Sequence, residues 1–272
     1  MSLPKFTDDF VAVGKAAHPA NDRFDEVVVG GIRTARLSRK QLADLMVDDC
    51  LAARREPRAS KLVFASNGQT IALYATDKEF RETFDQADVI HADGQPIVLA
   101  SKLLGSKRSI PGRSATTDFI HDAAAAANAN GLSMFFLGGT EDANERCIKA
   151  MRRLHPGLKI AGRRNGYFKR SEEGLICSDI ARSGADILFV GLGAPEEYAF
   201  AVRNRSRMTA SWVVTCGGCY NFVTGDYPRA PRWMQTASLE WAFRIMNEPT
   251  RLFWRYAITN PIALYQIATR TG

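Results

Sequence analysis

Short apolar runs alternate with longer amphipathic segments through the middle of the chain. The runs lie at residues 62–65, 89–90, 134–137, 158–160, 187–190 and 212–214. Apolar residues recur at helical spacing between them, near 70–86, 96–104, 115–130, 141–154, 172–183 and 195–207. Near-continuous apolar strands that alternate with helices are typical of a parallel sheet covered by helices on both faces. The pattern therefore predicts an α/β fold with a mostly parallel sheet.

The N-terminal part of the chain carries strand, turn and helix signals of the same kind. Residues 1–24 are mixed in character and are treated as an N-terminal extension. The run Val27–Val29, followed by two glycines, predicts a short strand and a turn. Ser38 is a suitable N-cap, and residues 39–55 then show helical spacing up to the helix breaker Pro57.

The C-terminal part has a different composition. Residues 225–272 hold six arginines, no lysine and three of the four tryptophans. The pattern predicts one helical stretch from residue 227 to 246 and a second from residue 249 that ends at Asn260-Pro261. Arginine with aromatic residues suits a helix at a membrane interface or a phosphate clamp. The alternative is a helical hairpin packed on the domain, with its arginines solvated. We therefore divide the chain into an α/β domain (25–224) and a helical appendage (225–272).

Small or polar residues follow the apolar runs. The loops read Ser66-Asn67-Gly68, Asp93-Gly94-Gln95, Gly138-Gly139-Thr140, Gly162 to Tyr167, Gly191 to Pro195 and Cys216-Gly217-Gly218. The carboxyl ends of parallel strands lie at one edge of the sheet, where open α/β folds bind ligands. Glycine lets a ligand approach the backbone, and helix N-termini attract phosphate. We expect a ligand site at this edge, although some glycines will serve turn geometry alone.

Asp93 is the first candidate for a catalytic group. The segment from Ala87 to Pro96 reads as a buried strand that ends at a carboxylate and a tight turn. Asp93 would remove a proton from an acceptor hydroxyl while arginines hold the phosphates of a donor. The alternatives are an Asp93 that only stabilises the turn, and a dyad with His91, which alternation places on the same face of the strand.

Composition limits the class of protein. The 272 residues are 46% hydrophobic with a net charge of +7 and a pI near 9.3, which favours an anionic partner. No run reaches the roughly 18 apolar residues of a membrane span, and no signal peptide is recognised. The five cysteines do not form a disulfide framework in a chain of this size, which indicates a reducing, cytoplasmic compartment. We expect a protein that is soluble or lies on a membrane surface.

Several chemistries are not supported by motifs. The sequence contains no Walker pattern, no G-x-G-x-x-G and no G-x-S-x-G. Cys216 and Cys219 form a C-x-x-C pair, but zinc would need two more ligands. Nucleic-acid binding is disfavoured because arginine and tryptophan concentrate in one terminal segment. We expect no metal, no cofactor and no nucleic acid.

The motifs resemble those of the WecG/TagA/CpsF glycosyltransferases, glycosyltransferase family 26, over roughly residues 25–258. The similar segments include Phe64-Ala65-Ser66-Asn67, Ala87 to Pro96, Phe136 to Gly139, His155 to Gly162, Asn165 to Phe168 and Ala185 to Pro195. The most diagnostic is Arg229-Ala230-Pro231-Arg232-Trp233-Met234-Gln235, followed by Leu239 to Arg244 and Glu248 to Arg251.

The resemblance implies a Rossmann-like inverting glycosyltransferase. Such an enzyme moves a sugar from a UDP-sugar to a sugar on a polyprenyl diphosphate, and its Arg-rich appendage meets the membrane. It implies a peripheral location on the inner face of the bacterial plasma membrane and a role in exopolysaccharide or surface polysaccharide assembly. A homo-oligomeric state is left open. UDP-glucose and UDP-N-acetylmannosamine are both candidate donors. The alternative hypothesis is a non-catalytic nucleotide-sugar-binding or scaffold protein of a polysaccharide assembly complex.

The resemblance also assigns site residues. Asp93 matches the general base. The residues expected to bind the donor and its diphosphate are Ser66, Asn67, Gly94, Gln95, Arg108, Arg113, Gly138, Gly139, Gly191, Gly193 and Glu197. The residues expected to bind the acceptor diphosphate and lipid are Arg229, Arg232, Arg244, Arg251 and Arg255. Two positions depart from the family pattern. Glu197 stands where glutamine is usual. The family's arginine is offset by one position at Arg108 and a further arginine is present at Arg113, so either side chain could face the diphosphate.

Overall fold

The computed structural model describes residues 23–105 and 109–272, with the side chain of Arg251 excepted. Most of the N-terminal extension and Arg108 lie outside the described residues. Two strands, β1 (Glu26–Val29) and β2 (Ile32–Ala35), form an antiparallel hairpin. The predicted strand and turn at residues 27–31 are confirmed by this hairpin.

A six-stranded sheet forms the centre of the fold, and all its strands are parallel. Its strands in chain order are β3 (Lys61–Ser66), β4 (Val89–Ala92), β5 (Ser133–Gly138), β6 (Lys159–Arg164), β7 (Ile187–Gly191) and β8 (Trp212–Thr215). Their spatial order is β4-β3-β8-β7-β5-β6. The carboxyl ends of β3, β4, β7 and β8 therefore lie side by side, which places the loops that follow them around one space.

Helices connect and cover the strands. They are α1 (Arg39–Arg55), α2 (Gly68–Thr76), α3 (Lys78–Phe84), α4 (Gln95–Leu103), α5 (Thr116–Ala129), α6 (Glu141–Leu154), α7 (Glu173–Ser183), α8 (Glu196–Arg203), α9 (Cys219–Thr224), α10 (Arg232–Thr236), α11 (Glu240–Asn247) and α12 (Pro249–Thr269). Helix α1 has the predicted bounds because Ser38 and Gln41 form a capping box at its start.

The sheet has a hydrophobic core on each face. Strands β7 and β8 are buried along their whole length, as expected for the centre of a doubly covered parallel sheet. Phe64 and Tyr198 pack edge to face in one core, with ring centroids 4.9 Å apart. Phe136 and Phe189 stack in the other, with centroids 6.2 Å apart. The predicted fold, a mostly parallel α/β sheet with additional C-terminal helices, is confirmed.

The first predicted C-terminal helix is interrupted, so its expected extent is wrong. Helix α10 ends before Ser238, whose φ of 62° lies in the left-handed region. The N–H of Leu239 donates to the carbonyl of Met234 across this turn (2.8 Å), and α11 then begins. Because serine occupies a position where glycine is usual, no sequence signal marked the break.

The second predicted C-terminal helix is longer than expected, because α12 continues through Pro261. Proline removes the N–H that would bond to the carbonyl of Ala257 and usually ends a helix. Ala257 and Pro261 are both exposed, so that carbonyl can be hydrated. Leu252 lies before the proline and Ala263 and Ile267 lie after it, and all three are buried. Tertiary packing, mainly on α2, therefore keeps α12 continuous.

The end of the chain is fixed to the N-terminal hairpin. The N–H of Gly31 donates to the carbonyl of Arg270 (2.9 Å), and the N–H of Gly272 donates to the carbonyl of Val28 (3.1 Å). Helix α12 therefore lies along α2 with its C-terminal end held against the N-terminal hairpin. Among the described residues, no helix combines the length and apolarity needed to cross a membrane.

Candidate active site

The turn that carries Asp93 is joined to the end of the neighbouring strand. The carbonyl of Ser66, at the end of β3, accepts the N–H groups of Asp93 (2.9 Å) and Gly94 (3.3 Å). Asn67 caps α2 by accepting the N–H of Thr70 (3.1 Å) through Oδ1, which turns its amide nitrogen toward Asp93. The polar ends of β3 and β4 thus form one rigid unit.

The carboxylate of Asp93 lies at the N-terminus of α5. Its Oδ1 accepts the N–H of Thr116 (2.7 Å), while its Oδ2 lies 3.5 Å from Asn67 Nδ2. Burial alone would raise the pKa of Asp93, but Arg113, the Thr116 N–H and the start of the helix outweigh this. The pKa therefore lies below its usual value, and Asp93 is ionised at neutral pH.

His91 does not belong to this polar cluster. Its Nδ1 lies 3.2 Å from Ser114 Oγ, and its ring packs beside Phe119 with centroids 6.0 Å apart. Burial lowers the pKa of His91, so the ring is neutral. The ring is buried, and its Nε2 has no hydrogen-bond partner among the described residues.

Arg113 links the Asp93 turn to the C-terminal helices. Its Nε donates to the carbonyl of Asp93 (2.7 Å), and its terminal nitrogen forms an ion pair with Glu240 Oε2 on α11 (2.7 Å). Each side chain of that pair is only 17% exposed, so water screens the pair less than it screens a surface ion pair. Arg113 therefore holds α11 over the carboxyl edge of the sheet.

Glu197 is the second acid at this edge, and it is only 3% exposed. Its Oε2 accepts the N–H groups of Gly217 (2.8 Å) and Gly193 (3.1 Å), which belong to the loops after β8 and β7. Burial raises the pKa of Glu197 to about 7, with a further rise from the charge of Asp93, although the N–H groups of Gly217, Gly193 and Leu192 oppose it. Two acids in one site thus differ in protonation at neutral pH.

One cleft of about 390 Å³ brings most of the predicted residues together. The predicted residues that line it are Asn67, Asp93, Gly94, Gln95, Arg113, Gly193, Glu197, Arg244 and Arg255. Helices α11 and α12 form one wall through Glu240, Trp241 and Tyr256. The cleft therefore lies between the strand ends and the C-terminal helices.

Two arginines of the C-terminal helices face this cleft. Arg244 lies over the ring of Phe222, with Cζ 4.9 Å from the centroid. Burial would lower the pKa of Arg244, but Tyr256, Glu240 and Asp93 raise it, so the guanidinium stays charged. The Nε of Arg255 is buried and has no hydrogen-bond partner among the described residues. Both side chains can hold an anion.

A second cleft of about 320 Å³ lies next to the first and also contains Arg244 and Arg255. Gly139 and Gly191 line it, whereas Gly138 does not. Gly138 has φ +129°, and a Cβ there would lie 2.2 Å from the carbonyl oxygen of Gly191. Gly138 is therefore required for the close approach of β5 and β7.

Other predicted residues lie away from the clefts. Ser66 is fully buried beneath the Asp93 turn. Arg229 pairs with Asp118 on α5 (3.1 Å), which anchors the segment before α10. Arg232 is exposed. Arg108 and the side chain of Arg251 are outside the described part of the structure.

Sequence reasoning did not predict three residues that line the cleft. Thr116 holds Asp93 through a backbone N–H, which no side-chain pattern reveals. Glu240 and Tyr256 reach the cleft from helices distant in sequence. The signal for Glu240 was present, because it lies within the C-terminal segment that carried the resemblance.

A further cavity of about 670 Å³ lies at the opposite, amino edge of the sheet, and none of the predicted site residues lines it. Arg54 and Asp186, which form an ion pair there (2.7 Å), satisfy each other. In the part of the chain that the structure describes, no three His, Cys, Asp or Glu side chains are grouped so that they could hold a metal ion.

The raised pKa of Glu197 predicts how the stability of the protein changes with pH. A carboxyl whose pKa is higher in the folded state favours folding at low pH, and that advantage is lost as the pH rises toward about 7. Replacing Glu197 by Gln keeps an oxygen that accepts both N–H groups. We expect Glu197→Gln to match the wild type near pH 5 and to be more stable at pH 8, by up to about 3 kcal/mol.

Urea unfolding at several pH values measures this difference. Glu196→Gln is the matched control, because Glu196 is the preceding residue, is exposed and pairs with Arg203. Its difference from the wild type should stay nearly constant with pH. Parallel stability curves for the wild type and Glu197→Gln would contradict the assignment.

The comparisons with known proteins agree with the resemblance. The model of the glycosyl transferase WecG/TagA/CpsF family matches residues 27–271. A protein of Bacillus spizizenii named N-acetylglucosaminyldiphosphoundecaprenol N-acetyl-beta-D-mannosaminyltransferase is 30% identical over 182 residues, covering 67% of this chain and 68% of its own. A protein of Bacillus subtilis with the same name is 27% identical over 185 residues, covering 68% and 70%. The chain is a glycosyltransferase and belongs to the WecG/TagA/CpsF family.

Proposed function

We propose that this protein transfers a hexosyl or N-acetylhexosaminyl group from a UDP-sugar to a sugar carried on a polyprenyl diphosphate. The transfer would serve exopolysaccharide or other surface polysaccharide assembly. The observation that carries the proposal is the ionised carboxylate of Asp93 in a cleft with Arg113, Arg244 and Arg255. The names of the two relatives, which describe a transfer to an undecaprenol-diphosphate-linked sugar, support the acceptor class.

Asp93 would act as the general base. Thr116 holds Oδ1, so Oδ2 accepts the proton of the acceptor hydroxyl. The acceptor oxygen forms a bond to the anomeric carbon of the donor, and the bond from that carbon to the phosphate oxygen breaks. The electron pair of the broken bond leaves with UDP. A single displacement of this kind inverts the anomeric centre. A pKa below the usual value keeps the base unprotonated in the resting enzyme.

The arginines would stabilise the departing diphosphate. Negative charge grows on the leaving UDP as the glycosidic bond breaks, and preorganised cations in a partly buried cleft oppose it well. Arg244 stays charged because of its neighbours, and Arg255 has an unused Nε. Arg113 is held in place by Glu240 and the Asp93 carbonyl. All three cations line the cleft that also contains Asp93.

The C-terminal helices would bring this cleft to a membrane surface. Phe253, Trp254, Ile258, Leu264 and Tyr265 on α12 are all exposed, and Trp233 and Met246 on the preceding helices are exposed as well. Arg255 is the only charged residue from 252 to 269. An apolar face rich in Trp and Phe is typical of interfacial helices. We therefore assign residues 225–272 to membrane and lipid-carrier contact, residues 25–224 to catalysis, and the protein to the inner face of the bacterial plasma membrane.

The base assignment predicts the effect of removing one charge. Asp93→Asn keeps an oxygen that can accept the Thr116 N–H, but the amide cannot take a proton. We expect transfer to fall by about 10²- to 10⁴-fold, while the UDP-sugar still binds, because the cleft loses a negative charge and keeps its arginines. The measurement is UDP release with a short-chain prenyl-diphosphate-linked acceptor, together with calorimetric donor binding.

Asp88→Asn is the matched control, because Asp88 directly precedes β4 and pairs with Arg205 at the far end of the strand. This variant should keep its turnover even if its stability falls. Near-normal transfer by Asp93→Asn would exclude Asp93 as the base.

The membrane assignment predicts the effect of charge on α12. Trp254 is 69% exposed, and Trp254→Glu should weaken binding to vesicles that contain anionic phospholipid by roughly tenfold or more. Leu175 on α7 is 72% exposed but lies outside the C-terminal helices, so Leu175→Glu is the control and should leave binding unchanged. Vesicle sedimentation measures both. Equal losses for the two variants, or no loss for Trp254→Glu, would refute the assignment.

A further inference from the structure

Glu197 occupies a place where a phosphate would be expected to bind. It lies in the first turn of α8, and its carboxylate takes the N–H groups of Gly193 and Gly217. Backbone N–H groups of glycine loops at a helix N-terminus are common phosphate ligands. The protein therefore places its own acid where the sequence predicted a cradle for the donor diphosphate.

The charges that line the cleft are evenly matched when Glu197 is ionised. The charged side chains there are Asp93, Arg113, Glu197, Glu240, Arg244 and Arg255, which are three cations and three acids. Their sum is zero with Glu197 ionised and +1 with Glu197 protonated. A nucleotide diphosphate is an anion, so it meets a favourable field only in the second state.

The other groups packed against α8 do not change this balance. Tyr198 and Cys216 are the neutral neighbours, because burial raises the pKa of each well above its usual value. Helix α3 and the turn at residues 205–207 also pack on α8. Their charged residues do not line the cleft; these are Lys78, Glu79, Arg81, Glu82, Arg205 and Arg207. Lys61 of β3 pairs with Asp49 at the amino end of its strand (2.8 Å).

We propose that Glu197 couples donor binding to proton uptake, so that the UDP-sugar binds to the enzyme in which Glu197 carries a proton. This inference rests on the proposed function. In the protonated state one oxygen continues to accept the two glycine N–H groups, and the other carries a hydroxyl that can donate to a phosphate oxygen. In the ionised state the same oxygen repels the diphosphate.

The proton is available at neutral pH. Burial raises the pKa of Glu197 to about 7, so both states are populated near that pH. Asp93 stays ionised in the same cleft, since Arg113 and the Thr116 N–H lower its pKa. A single proton on Glu197 can therefore change donor affinity without removing the catalytic base.

The test is calorimetric titration with UDP-glucose and with UDP-N-acetylmannosamine from about pH 5.5 to about pH 8.5. A UDP-sugar has no phosphate group that titrates in this range, so a pH dependence reports the enzyme. For the wild type we expect the Kd to rise about tenfold per pH unit above about 7. Glu197→Gln, which is permanently neutral, should vary less than about threefold over the range. Glu196→Gln should follow the wild type.

Proton uptake gives a second measurement on the wild type alone. Titration at about pH 7 in two buffers with different heats of ionisation should show uptake of about half a proton per donor bound. A wild-type Kd independent of pH, or no proton uptake, would overturn the role of Glu197 and leave the proposed function standing. If neither donor binds to any variant at any pH, the proposed function fails and this inference fails with it.

Discussion

Arg113 connects the two parts of the protein that form the cleft. One nitrogen binds the carbonyl of Asp93 at the strand end, and another pairs with Glu240 on α11. Without this bridge the C-terminal helices would meet the carboxyl edge mainly through the contacts of α12 with α2. The same guanidinium keeps Asp93 ionised and, under the proposed function, would supply positive charge for a diphosphate. The position of α11, the ionisation of Asp93 and part of the positive charge proposed for the diphosphate thus depend on Arg113.

The two buried acids of the cleft differ in protonation because their surroundings differ. Asp93 has a helix N-terminus, an N–H donor and a nearby guanidinium, and these outweigh the cost of burial. Glu197 also has two N–H donors and a helix start, but burial and the charge of Asp93 outweigh them. The difference follows from the arginines, because the charges of Arg113 and Arg244 lower the pKa of Asp93, whereas backbone N–H groups alone oppose the effect of burial on Glu197. A pair of acids with opposite shifts is what a site needs when one group takes a proton and another carries one.

The sequence predicts the sheet well because its signals are local. Apolar runs mark the strands, Ser38 marks the start of α1, and the parallel order sends the Asp93 and Gly193 loops to one edge. It predicts α12 poorly, because packing that involves distant residues outweighs the local effect of Pro261. It also could not show that Glu197 takes the Gly193 N–H, since this bond depends on where α8 folds back. The features that the local sequence pattern does not predict therefore depend on contacts between elements that are distant in the chain.

The central claim is that this cleft joins a donor sugar to a lipid-linked acceptor. The most direct measurement is UDP release by the wild type with a panel of UDP-sugars, with and without a short-chain prenyl-diphosphate-linked sugar, followed by assignment of the product's anomeric configuration. The account predicts rapid UDP release only when both substrates are present, and a product of inverted configuration. UDP release that does not depend on the acceptor, or a product of retained configuration, would contradict it.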